Sequence, residues 1–385
     1  MEKILLKNCL LFDSEFKNKE IKDIYIEKGK IYSIEDSICL EDKEIKVLDI
    51  RENIVSPGLI DCHTHMGIIE EATGKIGIDN NETSNPVTPH LRGIDAINPL
   101  DISFGDALSS GITCVMSGPG SNNAVGGQSV AIKTFGVIID KMIVKNPVGF
   151  KVAFGENPLS IYGKDSKCPV TRMGTAGLIR ELFMRVQDYM VQKKKESLKE
   201  RDIRLEAVIP VLSGEIPLRA HAHRVDDIVT AIRIAEEFNI SKLVIEHGTE
   251  AHLVKEYLKE KNVPVAFGPM LTPRIKMEMK KRQYSSVLEL AEADVKIALI
   301  TDHPYNSIDQ LRTVAALAVS EGLSTSDAMR FLTVHPAEIL ECEKRIGKIK
   351  TGYDADIAVF DGNPTDINTK CLMTIIDGNI VFQRK

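Results

Sequence analysis

Short apolar runs separated by polar and glycine-containing turns occupy both ends of the chain. Near the N-terminus, two apolar runs flank Lys28-Gly29, which is typical of a tight β-hairpin turn. Near the C-terminus, the strand-like run 355–360 precedes a second hairpin pattern that turns at Asp377-Gly378-Asn379. We therefore predict that residues 1–56 and 347–385 form one composite β-sandwich domain.

The middle of the chain, residues 57–346, alternates strand-like and helical patterns. Helical apolar faces occur, for example, in 178–186 and 225–235. Eight runs are candidate strands, and most of them are short, apolar and without strict alternation, as expected for strands buried on both faces. These runs are 54–60, 111–117, 129–135, 149–154, 216–222, 242–247, 263–267 and 296–301. The pattern predicts an α/β fold, a (β/α)8 TIM barrel, with a doubly wound sheet as the alternative.

Composition and charge narrow the function classes. The 385 residues carry a formal net charge of -6, and no basic cluster large enough for nucleic acid is present. No apolar stretch reaches the length of a membrane span. The 7 cysteines are scattered, which indicates a reducing, cytoplasmic compartment. We expect a small-molecule substrate, no nucleic-acid or membrane partner, and a sequence compatible with a homo-oligomer.

Histidine pairs supply the first chemical signal. With 9 histidines in the chain, roughly 0.2 His-x-His pairs are expected by composition. Two occur, His63-Thr64-His65 and His221-Ala222-His223, and each follows an apolar strand. Residues two apart on a strand point to the same face, so each pair can direct two imidazoles at one ion. Zinc and similar divalent metals accept imidazole nitrogen.

Two further predicted strands end in ligand-type residues, at His247 and at Asp302. In a parallel barrel, the carboxyl ends of all strands open on one face. The four strand ends are therefore predicted to surround a common centre that holds one or two divalent metal ions, with zinc as the expected metal.

Two segments resemble a known family. Ser56-Pro57-Gly58-Leu59-Ile60-Asp61-Cys62-His63-Thr64-His65 looks like the signature of the amidohydrolase superfamily, and Gly352-Tyr353-Asp354-Ala355-Asp356-Ile357-Ala358-Val359 resembles its C-terminal sheet segment. More closely, the chain is similar to imidazolonepropionase-related amidohydrolases over nearly its whole length. The resemblance implies a metal-bearing barrel with a composite sheet domain.

The resemblance also implies roles for individual residues. His63 and His65 match the first-strand ligands, and His221 and His247 match the fifth- and sixth-strand histidines. Asp302 matches the eighth-strand aspartate, which in the family binds metal and relays the proton. His223 matches no usual ligand, and we consider it either a catalytic residue in contact with substrate or a supporting residue.

The resemblance does not decide which residue would bridge two metal ions. Relatives with two metals use a carboxylated lysine or a glutamate between the first and fifth strands, and here Lys151 and Glu156 are the candidates. Position slightly favours a carboxylated Lys151, whose long side chain can reach the strand end. A single-metal site would use neither; Lys151 would then be a buried ion-pair partner and Glu156 a helix or turn cap.

The expected activity is hydrolysis of a carbon–nitrogen bond, in a cyclic amide, an N-acyl compound or a dipeptide, by metal-activated water. A deaminase of the same superfamily is an alternative, but the glutamate usual three residues after the fifth-strand histidine is replaced by Arg224. A non-catalytic scaffold is another, although such a protein would be expected to have lost ligands that are present here.

Loops after the strands are candidates for substrate binding. Segment 66–98 is long and polar, as binding loops and lids often are. His90 and Arg92 lie within it and can meet a substrate carboxylate, with Arg172 and Arg219 as rival candidates.

Overall fold

The computed structural model describes residues 3–12, 16–17, 19–165, 167–198 and 200–385. Within these residues, no helix combines the length and apolar character needed to cross a bilayer. The strands of the described chain are β1 (Lys3–Phe12), β2 (Lys19–Glu27), β3 (Lys30–Glu35), β4 (Ile45–Asp49), β5 (Ile54–Pro57), β6 (Leu59–Thr64), β7 (Ile112–Ser117), β8 (Val125–Lys133), β9 (Ile143–Ala153), β10 (Leu218–Ala222), β11 (Leu243–His247), β12 (Val265–Phe267), β13 (Ile297–Leu299), β14 (Ile357–Phe360), β15 (Cys371–Ile376) and β16 (Asn379–Gln383).

Helices connect most of the central strands. The α-helices in the described ranges are α1 (Ser103–Ser109), α2 (Ile139–Met142), α3 (Glu156–Tyr162), α4 (Arg172–Lys194), α5 (Ile203–Glu206), α6 (Ile209–Leu212), α7 (Val225–Glu237), α8 (Lys255–Glu260), α9 (Ser286–Glu292), α10 (Leu311–Ser320), α11 (Thr325–Leu332) and α12 (Val334–Ile339). Short 3-10 helices cover Gly74–Gly77, Gly93–Ala96, Gly163–Asp165, Ala251–Val254, Met277–Met279 and Ile308–Gln310. The predicted apolar faces are buried, as Phe183 in α4 and Ile232 in α7 illustrate.

One sheet draws its strands from both ends of the chain. Its order is β16-β15-β14-β5-β1-β2-β3, with β4 pairing parallel to the first half of β1. Both predicted hairpins are confirmed: Lys28-Gly29 joins β2 to β3, and Asp377-Gly378 joins β15 to β16. All four turn residues have positive φ (53°, 76°, 48° and 73°), the conformation that matches the twist of paired strands.

The run predicted as the first barrel strand, 54–60, is divided between the two sheets. β5 pairs with β14 of the composite sheet, whereas β6 begins the barrel sheet. Gly58 separates the two strands and packs so closely that a Cβ there would lie 2.1 Å from Oγ1 of Thr113. A side chain at this crossing would therefore displace Thr113, which explains the glycine at the junction.

The second sheet is a nearly closed barrel in chain order, from β6 to β13. One strand departs from the predicted all-parallel arrangement, because β8 runs antiparallel to both β7 and β9. Only residues 118–124 connect β7 to β8. A parallel crossover needs about a dozen residues or more, so this short connection forces the chain to reverse.

Asp61 links the first and last barrel strands. Its Oδ2 accepts hydrogen bonds from the backbone N–H of Thr301 (2.9 Å) and from the Thr301 hydroxyl (2.6 Å). Its Oδ1 accepts from the backbone N–H of His63 (3.1 Å). Burial raises the pKa of Asp61 to about 6, against the effect of these hydrogen bonds. This contact brings the ends of β6 and β13, and so His63 and Asp302, to the same side of the barrel.

Candidate metal centre

Two overlapping groups of buried ligand-type side chains lie at the carboxyl ends of the barrel strands. The first contains His63, His247 and Asp302, and the second contains His221, His223 and His247. In each group, one candidate ligand atom per residue lies within 4.8 Å of the others. His247 belongs to both, so the four strand ends selected from the sequence face one another.

Asp302 also joins His65 to the first group. Its Oδ1 lies 3.2 Å from Nε2 of His63 and 3.5 Å from Nε2 of His65. Two imidazole nitrogens and a carboxylate oxygen therefore point at a common volume.

Two of the strand-end residues have unusual backbone conformations. His247 has φ 75° and Asp302 has φ 55°, both in the left-handed region. A non-glycine residue held there costs on the order of 1–3 kcal/mol, and such strain concentrates at functional sites. The backbone of the chain therefore turns sharply at two residues that carry candidate ligand atoms.

Hydrogen-bond acceptors hold the imidazole rings in place. Nδ1 of His65 lies 2.8 Å from the carbonyl oxygen of Gly118, and Nδ1 of His247 lies 2.9 Å from that of Gly268. A carbonyl can only accept, so Nδ1 carries the proton in both rings and the lone pair is on Nε2. This arrangement, in which the outer nitrogen is anchored and the inner one is free, is typical of metal-binding histidines.

A buried charge cluster lies beneath the first group. Oε1 of Glu246 lies 2.9 Å from Nδ1 of His63 and accepts from Nε of Arg219 at 2.7 Å. Its Oε2 forms a salt bridge with Lys151. Burial opposes ionisation of Glu246, but its contacts with His63, Lys151 and Arg219 hold its pKa well below the usual range. Glu246 thus lies beside Nδ1 of His63, and Lys151 and Arg219 keep it ionised.

Burial determines the protonation of the second group. It lowers the pKa of His221 and of His247 well below the usual imidazole range, and that of His223 to about 3. These rings are neutral, which is the form that binds metal. For Asp302, burial alone would raise the pKa, but the adjacent imidazoles of His247, His63 and His65 hold it well below its usual range.

Several buried polar atoms at the centre have no hydrogen-bond partner among the described residues. They include Oδ1 of Asp302, Nδ1 of His63, both ring nitrogens of His221 and Oε1 of Glu278. A buried polar group without a partner costs roughly 1–3 kcal/mol, and buried charges are normally paired or bound to a metal. Nitrogen and carboxylate ligands in this proximity fit a divalent cation such as zinc.

The structure treats the two candidate bridging residues differently. Lys151 lies at the centre, but its amine forms a salt bridge with Glu246. A buried ion pair is the role expected for Lys151 in a single-metal site. Glu156 begins α3, and its Oε2 faces the backbone N–H of Glu278 at 3.3 Å. Glu156 is therefore not brought into either histidine group.

Sequence reasoning did not select Glu246 or Glu278. The sequence did contain a signal for Glu246, because it is the one acidic residue in the apolar run of β11, and in the structure it is fully buried. Glu278 had none, because it lies in the polar segment after β12, in the 3-10 helix Met277–Met279. Its Oε1 nevertheless lies 3.6 Å from Nε2 of His221 and 3.7 Å from Nε2 of His223.

The opening above the histidines is both polar and apolar. Nζ of Lys276 donates to Oδ1 of Asn157 at 2.6 Å, and Nδ2 of Asn157 donates to Oγ of Ser121 at 2.6 Å. The full lining consists of His65, Ser121, Asn157, His221, His223, Pro269, Thr272, Ile275, Lys276, Met279, Asp302 and Tyr305. A cation at its edge makes this opening suitable for a small substrate with an anionic group.

The residues predicted to meet a substrate carboxylate lie elsewhere. Arg219 is completely buried beneath the centre, and its second guanidinium contact is the carbonyl oxygen of Cys62 (2.7 Å). Arg172, at the start of α4, pairs with Asp227 of α7 at 3.1 Å. His90 and Arg92 line a neighbouring cavity formed by the long loop. Lys276, which the sequence did not single out, takes the position at the opening.

Known proteins share this fold and sequence. A model of the amidohydrolase family matches residues 215–382. The crystal structure of an amidohydrolase from Thermotoga maritima MSB8 has a TM-score of 0.95 and 43% sequence identity, over 99% of this chain and 100% of that chain.

Curated relatives are more distant. Amidohydrolase tasK of Hapsidospora irregularis is 27% identical over 94% of this chain, which spans only 40% of that relative's length. An imidazolonepropionase from Colwellia psychrerythraea is 22% identical over 87% of this chain and 82% of its own. With a full-length match at 43% identity and relatives that carry hydrolase names, the chain belongs to the amidohydrolase superfamily and is a hydrolase acting on carbon–nitrogen bonds.

Proposed function

We propose that this protein is a divalent-metal-dependent amidohydrolase that hydrolyses a carbon–nitrogen bond in a small substrate, a cyclic amide, an N-acyl compound or a dipeptide. The observation that carries the proposal is the contact of Asp302 with His63 and His65 at 3.2 and 3.5 Å. These are three buried atoms with lone pairs, and Oδ1 of Asp302 has no hydrogen-bond partner in the described chain. A shared cation accounts for their proximity.

The proposed ligands are the residues selected from the sequence: His63, His65, His221, His247 and Asp302. A bound divalent ion, with zinc as the expected metal, would lower the pKa of water toward 7 and polarise the scissile carbonyl. The proton transfers would be carried out by a side chain of the protein. Asp302 is ionised and buried at the opening, so it can accept a proton from the attacking water and pass it to the leaving nitrogen.

The opening supports a substrate with an anionic group. Lys276 is half-buried there and is held by Asn157, so its ammonium group is positioned before substrate arrives. Ile275 and Met279 supply apolar surface beside it. A small amide with a carboxylate at one end, such as an N-acyl amino acid or a dipeptide, satisfies both features.

The alternative activity, deamination, has less support. The residue three positions after His221 is Arg224, and its guanidinium pairs with Asp226 at 2.9 Å rather than facing the histidines. No acid therefore occupies the position at which deaminases of the superfamily usually carry one.

Two measurements test the proposal. Metal-stripped protein is reconstituted with zinc, manganese or cobalt, and its metal content is compared with its activity on N-acyl amino acids, dipeptides and cyclic amides. Activity must return with metal. Asp302→Asn should reduce kcat by about 10²–10⁴-fold, whereas Asp309→Asn, at an exposed aspartate outside both groups, should not. Binding of no metal, or equal activity of the two variants, would refute the proposal.

A further inference from the structure

Glu278 is a buried carboxylate that the proposed reaction does not yet use. Its side chain is 1% exposed, and its Oε2 accepts a hydrogen bond from the backbone N–H of Glu156 at 2.8 Å. The other oxygen, Oε1, has no hydrogen-bond partner in the described ranges. This free oxygen faces the second histidine group, 3.6 Å from His221 and 3.7 Å from His223.

The two histidines present free nitrogens to this oxygen. Neither ring nitrogen of His221 has a hydrogen-bond partner among the described residues. Nδ1 of His223 is held by Oγ1 of Thr249 at 2.7 Å, which leaves Nε2 toward Glu278. The rings of His221 and His247 are adjacent, with centroids 4.4 Å apart.

Hydrogen bonding does not explain these distances. Nitrogen–oxygen hydrogen bonds are about 2.7–3.2 Å long, so 3.6 and 3.7 Å are too long. Ligands bound to zinc at about 2.0–2.2 Å in a tetrahedral site are separated by roughly 3.3–3.6 Å. Nζ of Lys276 approaches Oε1 only to 3.8 Å, and that amine already donates to Asn157.

We infer that Glu278, His221 and His223 form, together with His247, a second position for a divalent cation, beside that of His63, His65 and Asp302. The inference rests on the proposed function in that the second cation lies beside the one proposed there. Nδ1 of His247 donates to Gly268, so the single free lone pair of this ring, on Nε2, serves the second position. It assigns His223 to cation binding rather than to substrate contact. It also supplies a carboxylate ligand without Lys151, whose amine is held by Glu246.

Metal binding alone tests this assignment. Stripped protein is titrated with zinc; bound equivalents are counted by elemental analysis, and affinities are measured by competition with a chromophoric chelator. The unaltered chain should bind two ions. Glu278→Gln should keep one and weaken the second by at least about 100-fold, since even residues that merely support a ligand contribute about 10–100-fold.

Glu156→Gln is the matched control, because this neighbouring carboxylate contacts the backbone of Glu278 and no histidine. It should bind two ions with unchanged affinity. His223→Gln is a second variant that should reproduce the loss, and cobalt titration should show the corresponding loss of visible absorption. Thermal unfolding of the metal-free forms identifies any variant that has not folded. If one of Glu278→Gln and His223→Gln fails to fold, metal binding by the other tests the inference.

The outcomes separate this inference from the proposed function. Two ions bound with unchanged affinity by Glu278→Gln, or a single ion bound by the unaltered chain, would overturn the second position and leave the proposed function in place. Binding of no ion by the unaltered chain would overturn both.

Discussion

Replacing Lys151 with methionine distinguishes an ion-pair partner from a carboxylated metal bridge. The Lys151 side chain is 2% exposed and pairs with Oε2 of Glu246, which is completely buried. Arg219 contacts the other carboxylate oxygen at 2.7 Å. Lys151→Met therefore removes one of the two cations that neutralise Glu246 and keeps the length of the side chain.

The expected loss of stability follows from these contacts. Removing one partner of a buried ion pair costs about 3–5 kcal/mol, because the other charge remains buried. Arg219 stays beside Glu246 in the variant, so we expect the lower end, about 3 kcal/mol. Lys145→Met is the matched control on the same strand, β9, because Lys145 pairs with Glu341 in a partly exposed position. It should cost less than about 1 kcal/mol.

Urea unfolding of the metal-free proteins, followed by circular dichroism, measures the loss, and elemental analysis gives the metal content of the reconstituted proteins. We expect Lys151→Met to lose stability and to keep its metal. Loss of one metal equivalent with unchanged stability of the metal-free protein would refute this reasoning and identify Lys151 as the bridge.

Two further predictions concern pH and substrate charge. Burial raises the pKa of Asp227 to about 6, so its folded form binds a proton more tightly than the unfolded chain. Protonated Asp227 therefore adds on the order of 2 kcal/mol to the free energy of unfolding below pH 4, and this contribution is lost as the pH rises toward 6. Asp227→Asn should flatten that part of the urea-unfolding profile, and an equally steep profile would contradict the assignment. Lys276→Met should raise KM for anionic substrates about 10-fold or more with little effect on kcat. The exposed Lys280→Met should change neither, and an unchanged KM in Lys276→Met would exclude Lys276 from substrate binding.

The sequence alone located the strand ends that carry the candidate metal ligands. His-x-His spacing placed two imidazoles on one strand face, and the apolar runs before His247 and Asp302 identified two more strand ends. Both hairpin turns were also readable, because Lys28-Gly29 and Asp377-Gly378 impose positive φ locally. These features depend on neighbouring residues, so no tertiary information was needed.

Strand direction and pairing were not local properties. The reversal of β8 depends on the seven residues of loop 118–124, whose length was hidden while the strand was predicted at 129–135 rather than 125–133. The predicted run 54–60 likewise gave no sign that Gly58 divides it between two sheets. Both outcomes depend on which distant strands are available for pairing.

The tertiary structure alone decided which acidic side chains lie beside the histidines. Lys151 and Glu156 were the sequence candidates, but Lys151 pairs with Glu246 from a neighbouring part of the barrel, and Glu156 faces a backbone amide. Glu278 reaches His221 and His223 from a segment more than fifty residues away along the chain. The pattern of residues along a strand predicts which face a side chain occupies. The residues that this side chain contacts depend on how the barrel closes.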